Sequence, residues 1–164
     1  MHQDRDIYYN DQGILLEQDI RIVRPEFCLP GKDTADWALI QHGDKDGFDI
    51  RIVYSNGKYT ETIILPPGKR LLRYGFPGGS FTADIGTDYD LLSLPYIRET
   101  MPYHEYVVKK ECRVECIVTK GIVAPGFNSL GGAVQYKHQL TISDSIEYGI
   151  LEEDYTWIRN KLAK

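Results

Sequence analysis

The sequence predicts an α+β domain dominated by strands, with one twisted, mostly antiparallel sheet and a few short helices. Three observations carry that prediction. Short β-rich runs recur between turns of Gly, Pro and Asn. They do not alternate with long helical segments, so a parallel βαβ sheet is not expected. Helical periodicity is confined to the C-terminal end, where Tyr155, Ile158 and Leu162 fall at i, i+3 and i+7.

Size and charge narrow the function classes. The chain has 164 residues, 42% hydrophobic and 26% charged, enough for one core and too few for two ordinary domains. A net charge of −5 gives no electrostatic support to nucleic-acid binding. No apolar run approaches the ~20 residues needed to span a bilayer. The polar start, Met-His-Gln-Asp-Arg-Asp, carries no apolar signal-peptide core. Cys28, Cys112 and Cys116 are an odd count and form no disulfide framework. Cys112 and Cys116 read as buried strand residues, since no metal-ligand spacing surrounds them.

Along the chain, residues 1–45 form an N-terminal arm or pre-domain segment. The first dozen are polar and read as frayed, and residues 14–23 supply a strand or packed arm. Asp33 or Thr34 can cap a short helix through residues 37–40. Residues 46–164 form the main domain. Residues 48–54 and 58–65 flank Ser55-Asn56-Gly57 and predict a β-hairpin. Pro66-Pro67-Gly68 ends its second strand, residues 70–74 resume extended structure, and residues 75–79 are loop. Residues 103–108, 112–119 and 121–124 read as further strands, and residues 134–142 close the sheet. Asp144 and Glu147 suggest a capping box for a short helix over residues 145–148 that Gly149 stops.

Chemistry concentrates between Leu65 and Tyr136. Pro66-Pro67-Gly68, Arg73-Tyr74-Gly75, Gly78-Gly79 with Phe81, Ser93-Leu94-Pro95, Tyr103-His104-Glu105-Tyr106, and Ala124-Pro125 through Gln135-Tyr136 set an arginine, aromatics, a histidine and a glutamine beside glycine turns. A guanidinium at Arg73 can fork onto phosphate oxygens. Backbone N–H groups of the loop from Gly75 to Gly79 can form an anion nest. Tyr74 and Phe81 offer flat faces for stacking, and the Gln135 carboxamide can bind a hydroxyl or orient water. Taken singly, Arg73 reads as a strand-end surface arginine, His104 as a structural histidine and Gln135 as a cross-strand partner.

In order and spacing these blocks, over residues 65–151, resemble the NAD glycohydrolase domain of the tuberculosis necrotizing toxin family. The resemblance implies a distantly ADP-ribosyltransferase-like fold, and hydrolysis of the nicotinamide–ribose bond of NAD or NADP to nicotinamide and ADP-ribose. NAD(P) would be substrate, with no cofactor and no metal. It implies Gln135, Arg73 and His104 as catalytic positions. Substrate contacts fall on Tyr74, Gly75, Gly79, Phe81 and Gly132. Phe81 stands where the family usually has tyrosine. A second family arginine aligns near Leu92 and is absent, with Arg98 as its substitute. The resemblance further implies a secreted or delivered toxin acting in the target-cell cytoplasm, with a cognate immunity protein. ADP-ribosyl transfer, cyclisation and non-catalytic NAD binding stand as alternatives. The absence of a Q-x-E or E-x-E pattern in the block from Ala124 to Tyr136 favours hydrolysis over transfer.

Overall fold

The computed structural model describes residues 7–17, 20–111 and 113–163. Strands β3 (Thr60–Leu65), β4 (Arg70–Tyr74), β5 (Phe81–Asp84), β6 (Tyr103–Val108), β7 (Cys116–Ile122), β8 (Val134–His138) and β9 (Leu151–Glu153) build a seven-stranded sheet in the order β3-β7-β8-β5-β4-β6-β9. Every neighbouring pair is antiparallel, as the sequence predicts. Strands β1 (Tyr8–Tyr9) and β2 (Leu15–Leu16) pair in a separate two-stranded ribbon. Helices α1 (Ile142–Glu147) and α2 (Thr156–Leu162) are short, and among the described residues no helix is long and apolar enough to cross a membrane.

Both faces of the sheet are covered. Successive strand residues point to opposite sides, so Leu71 and Leu72 enter different cores, and both are buried. On one face Leu71, Tyr106, Val118 and Tyr136 pack with Ile142 of α1 and with Ile150 and Leu151. On the other, Leu72 and Ala83 pack with Tyr103 and Trp157 of α2. Each fully buried leucine contributes roughly 1.5–3 kcal/mol.

Several local expectations change. Residues 48–54 form no strand. The turn around Asn56 exists, with Gly57 N–H donating to Tyr54 O at 2.9 Å and Lys58 N–H to Asn56 Oδ1 at 2.8 Å. But β3 pairs with β7, setting Ile63 opposite Val118 and Leu65 opposite Cys116. Phe48 is spent elsewhere: its ring lies against Gly121, where only a glycine leaves room. The run 134–142 splits because Thr141, not Asp144, caps α1, its side chain accepting from Asp144 N–H at 3.1 Å. Strand β8 then lies inside the sheet, between β7 and β5, rather than closing it. Strands β5 and β9 went unforeseen. In α2 the buried residue is Trp157, whereas Tyr155 and Leu162 are exposed. The strand expected over 112–119 begins at Cys116, which is buried, and Cys112 lies outside the described residues.

The arm is also tied down. Residues 1–6 of the stretch expected to fray lie outside the described residues. From Tyr8 onward the chain is held: Asn10 is 2% exposed, and its side chain accepts from Gln12 N–H and Ile14 N–H and donates to Glu99 O. Asp36, rather than Asp33 or Thr34, caps the single 3-10 turn at Trp37–Leu39.

Candidate active site

Strands β4, β5 and β8 are neighbours, so Leu72, Ala83 and Gln135 form one row across the sheet. That row floors a cavity of about 570 Å³, within the range of small-molecule sites. Tyr74 and Phe81 stand at its strand ends. Ser93, Leu94 and Tyr96 supply one wall, and the N-terminal segment supplies another through Arg21, Trp37 and Lys45.

Backbone anchors bring these distant segments together. Ser93, with φ of +50°, donates its hydroxyl to Ala124 O, joining the Ser-Leu-Pro and Ala-Pro-Gly blocks. Arg24 Nη2 donates to Leu94 O at 3.3 Å and to Phe127 O at 3.4 Å. Phe127 is in turn wedged edge-on by Phe27 and Trp37, at 5.4 and 5.5 Å between ring centroids. Gly131, at φ of +67°, passes so close to the Val123 and Ala124 backbone that a Cβ would overlap it.

The structure brings Tyr74, Phe81 and Gln135 to the cavity face of the sheet, whereas Arg73 borders the cavity but, one residue out of phase with Leu72, directs its side chain to the opposite face. Gln135 is half-buried, and among the described residues its carboxamide has no hydrogen-bond partner. Tyr74 donates its hydroxyl to Asp11 Oδ2 at 3.0 Å and packs edge-on against Tyr89 and Tyr103. Burial, together with Asp11, drives that hydroxyl's pKa far up, so it stays protonated. The Phe81 ring lies 6.4 Å from that of Phe48.

Arg73 is held inward. Its Nε donates to Phe76 O at 2.9 Å and its Nη1 to Phe81 O at 3.0 Å, bracing the 75–81 loop from within. Gly75 and Gly79 make room for it, because a Cβ at either would run into the guanidinium. Burial lowers the Arg73 pKa, and the positive charge of Arg21 lowers it further. On the same side of the sheet His138, bonded to Thr82 Oγ1 at 2.7 Å, has its pKa pushed down to about 4, by burial first and by Arg73 second.

Other sequence-nominated residues lie apart. His104 stands opposite Arg73 on β6 but lines a second cavity of about 280 Å³ with Glu153, Tyr155 and Ile158. Its Nδ1 is 2.7 Å from Glu153 Oε2, its ring stacks on Tyr106, and its Nε2 is buried without a hydrogen bond. Arg98 is outside the larger cavity and pairs with Asp11 and Glu99. Gly132, at φ of +94°, faces open space and shapes the turn before β8. Among the described residues no group of three or more His, Cys, Asp or Glu side chains could hold a metal ion. The sequence reading missed Arg21, Trp37 and Lys45. Arg21 and Lys45 sit in irregular chain and Trp37 opens a single 3-10 turn, so no periodicity marks them as wall residues.

Comparison with known proteins gives the family and the fold. The family described as tuberculosis necrotizing toxin matches residues 64–153. The structure of tuberculosis necrotizing toxin complexed with its immunity factor IFT aligns at 18% identity and a TM-score of 0.53, covering 93% of this chain and 79% of that one. Rhs1-CT in complex with cognate immunity protein RhsI1 aligns at 18% identity and a TM-score of 0.42, covering 58% of this chain and 76% of that one. Tse6 in complex with Tsi6 aligns at 19% and 0.41, covering 58% and 71%. At 18% identity the likeness to the tuberculosis necrotizing toxin structure is one of fold. No curated protein matches the chain.

Proposed function

The chain belongs to the tuberculosis necrotizing toxin family, and from that premise we propose that it is an NAD(P)+ glycohydrolase whose substrate lies in the cavity over β4, β5 and β8. The observation that carries the proposal is the Gln135 carboxamide: half-buried on the cavity floor beside Tyr74 and Phe81, and without a hydrogen-bond partner among the described residues. A carboxamide that makes no bond within the protein keeps its carbonyl oxygen and its amide N–H groups available to a ligand.

The chemistry asks little acid–base work of the protein. The bond between ribose C1′ and nicotinamide N1 breaks, and its electron pair neutralises the pyridinium, so the leaving group needs no proton. The ribosyl group becomes oxocarbenium-like, water adds at C1′, and one proton passes to solvent. Gln135 holds a ribose hydroxyl or the attacking water through its carbonyl oxygen. Phe81 and Tyr74 present flat faces to the rings. Arg73 braces the loop and adds positive charge beneath the site. His104, paired with Glu153 and opposite Arg73, acts through Arg73 as a positioning residue.

The test is release of nicotinamide and ADP-ribose from NAD and from NADP by the purified chain, separated chromatographically. Gln135→Ala is expected to lower kcat by about 10²–10³-fold with the melting temperature unchanged. A wild-type protein that releases no nicotinamide overturns the proposal, and a cyclic product or modified acceptor protein redirects it to cyclisation or transfer. The family relation also supports a delivered toxin, acting in a target-cell cytoplasm, whose cognate immunity protein covers the cavity mouth.

A further inference from the structure

A dinucleotide carries two negative charges on its diphosphate, and the cavity must meet them. Arg73 donates two of its N–H groups to Phe76 O and Phe81 O. Arg98 is outside the cavity and engaged with Asp11 and Glu99. Arg21 and Lys45 are different. Both line the cavity, both are exposed, and neither has a carboxylate partner among the described residues.

Arg21 is also preorganised. Its guanidinium carbon lies 4.9 Å from the ring centroids of both Phe76 and Tyr96. Two aromatic faces therefore orient the fork without consuming its N–H donors. The acids beside Lys45 are already occupied. Asp44 Oδ1 accepts from the backbone N–H groups of Asp46 and Phe48, and Asp46 is clasped by Lys137 at 3.1 Å. The lining sets Arg21, Lys45 and Arg73 against Asp44 and Asp46, a small positive excess in a chain of net charge −5. Burial is the main cause of the lowered Arg73 pKa, and the charge of Arg21 adds to it through a repulsion that a bound anion relieves.

We infer that Arg21 and Lys45 form the diphosphate clamp of this cavity, so that the N-terminal segment completes a substrate site whose floor lies in the sheet. The inference rests on the glycohydrolase reading for the identity of the substrate, but not for the chemistry of the clamp. Arg21 forks onto phosphate oxygens bidentately, and Lys45 adds a point charge.

Calorimetric titration of the full chain with ADP and with adenosine separates the two ideas. In Arg21→Ala and Lys45→Ala the dissociation constant for ADP is expected to rise about tenfold each, while that for adenosine stays as in the wild type. Arg21→Lys should fall between, keeping the charge but losing the fork. The salt dependence of ADP binding should flatten in the double variant, and melting temperatures show that the variants are folded. For NAD turnover the loss should fall on KM rather than kcat. Unaltered ADP affinity in the double variant, or a wild type that does not prefer ADP to adenosine, overturns the clamp. A wild type that prefers ADP yet releases no nicotinamide leaves the clamp standing and removes the glycohydrolase reading instead.

Discussion

The two halves of the cavity are built on opposite principles. Its floor belongs to the sheet, where Leu72, Ala83 and Gln135 are set by strand register and backed by two packed cores. Its outer wall belongs to residues 21–47, which hold only single 3-10 turns and isolated bridges. The floor's geometry follows from backbone pairing, so changes to its packed residues Leu72 and Ala83 register first as stability, whereas the half-buried Gln135 carboxamide remains free to act on a ligand. The wall's geometry follows from a few anchors, such as Arg24 on Leu94 O and Phe127 O, and its exposed side chains are available to a ligand. Substitutions in the two regions should therefore separate folding from binding.

The largest expected effect is on the sheet side. Gly131 has φ of +67° and no room for a Cβ against the Val123 and Ala124 backbone. Gly131→Ala meets both a left-handed penalty and rigid main chain, and should cost several kcal/mol, roughly 3 or more. Gly132→Ala, at φ of +94° but with open space around the new methyl, should cost only about 1 kcal/mol. Urea unfolding midpoints of the two variants measure the difference; equal losses would mean that the close approach at Gly131 does not hold the corner before β8.

Next comes pH, again through the sheet. His138 is buried against Thr82, and its pKa falls to about 4 from an ordinary 6.5. Between those values the unfolded chain binds the proton that the folded chain refuses. Stability from neutral His138 is therefore complete above about pH 6.5 and is lost as pH falls through about 4. The full effect is about 3 kcal/mol. Unfolding free energy measured at intervals from pH 7 downward should fall across this window, and His138→Gln should flatten that part of the slope. A wild-type curve that is flat there would mean His138 titrates normally.

The same division explains what the sequence disclosed. Strand β6 and the end of β3 were legible because apolar residues and Pro66-Pro67-Gly68 punctuate them unambiguously. The blocks around Arg73, Phe81, Ser93 and Gln135 were legible as a family pattern, and the Ser93 bond to Ala124 O ties two of them together in space. What stayed hidden depends on tertiary competition. Residues 48–54 carry a strand-like pattern, yet Phe48 is drawn over Gly121 and β3 finds β7 instead. Arg73 reads as an outward-facing fork from local pattern alone; only the empty spaces at Gly75 and Gly79 turn it inward. Arg21 and Lys45 carry no sequence signature, because their significance lies in their place on the cavity wall and in having no carboxylate partner among the described residues.

The smallest effect on folding, and the sharpest test of the division, is Trp37→Ala. Trp37 is 55% exposed on the cavity wall and touches the core through its edge-on contact with Phe127. Removing the indole should cost stability only about 1 kcal/mol, the worth of one such aromatic pair. Its exposed face, however, is the wall surface best suited to stack on a base, so ADP and adenosine should both bind about fivefold to tenfold more weakly. That pattern differs from loss of Arg21 or Lys45, where only the phosphate-bearing ligand is expected to suffer. If Trp37→Ala instead lowers the unfolding midpoint as much as Gly131→Ala while sparing adenosine, the wall is part of the folding core, and the separation between floor and wall does not hold.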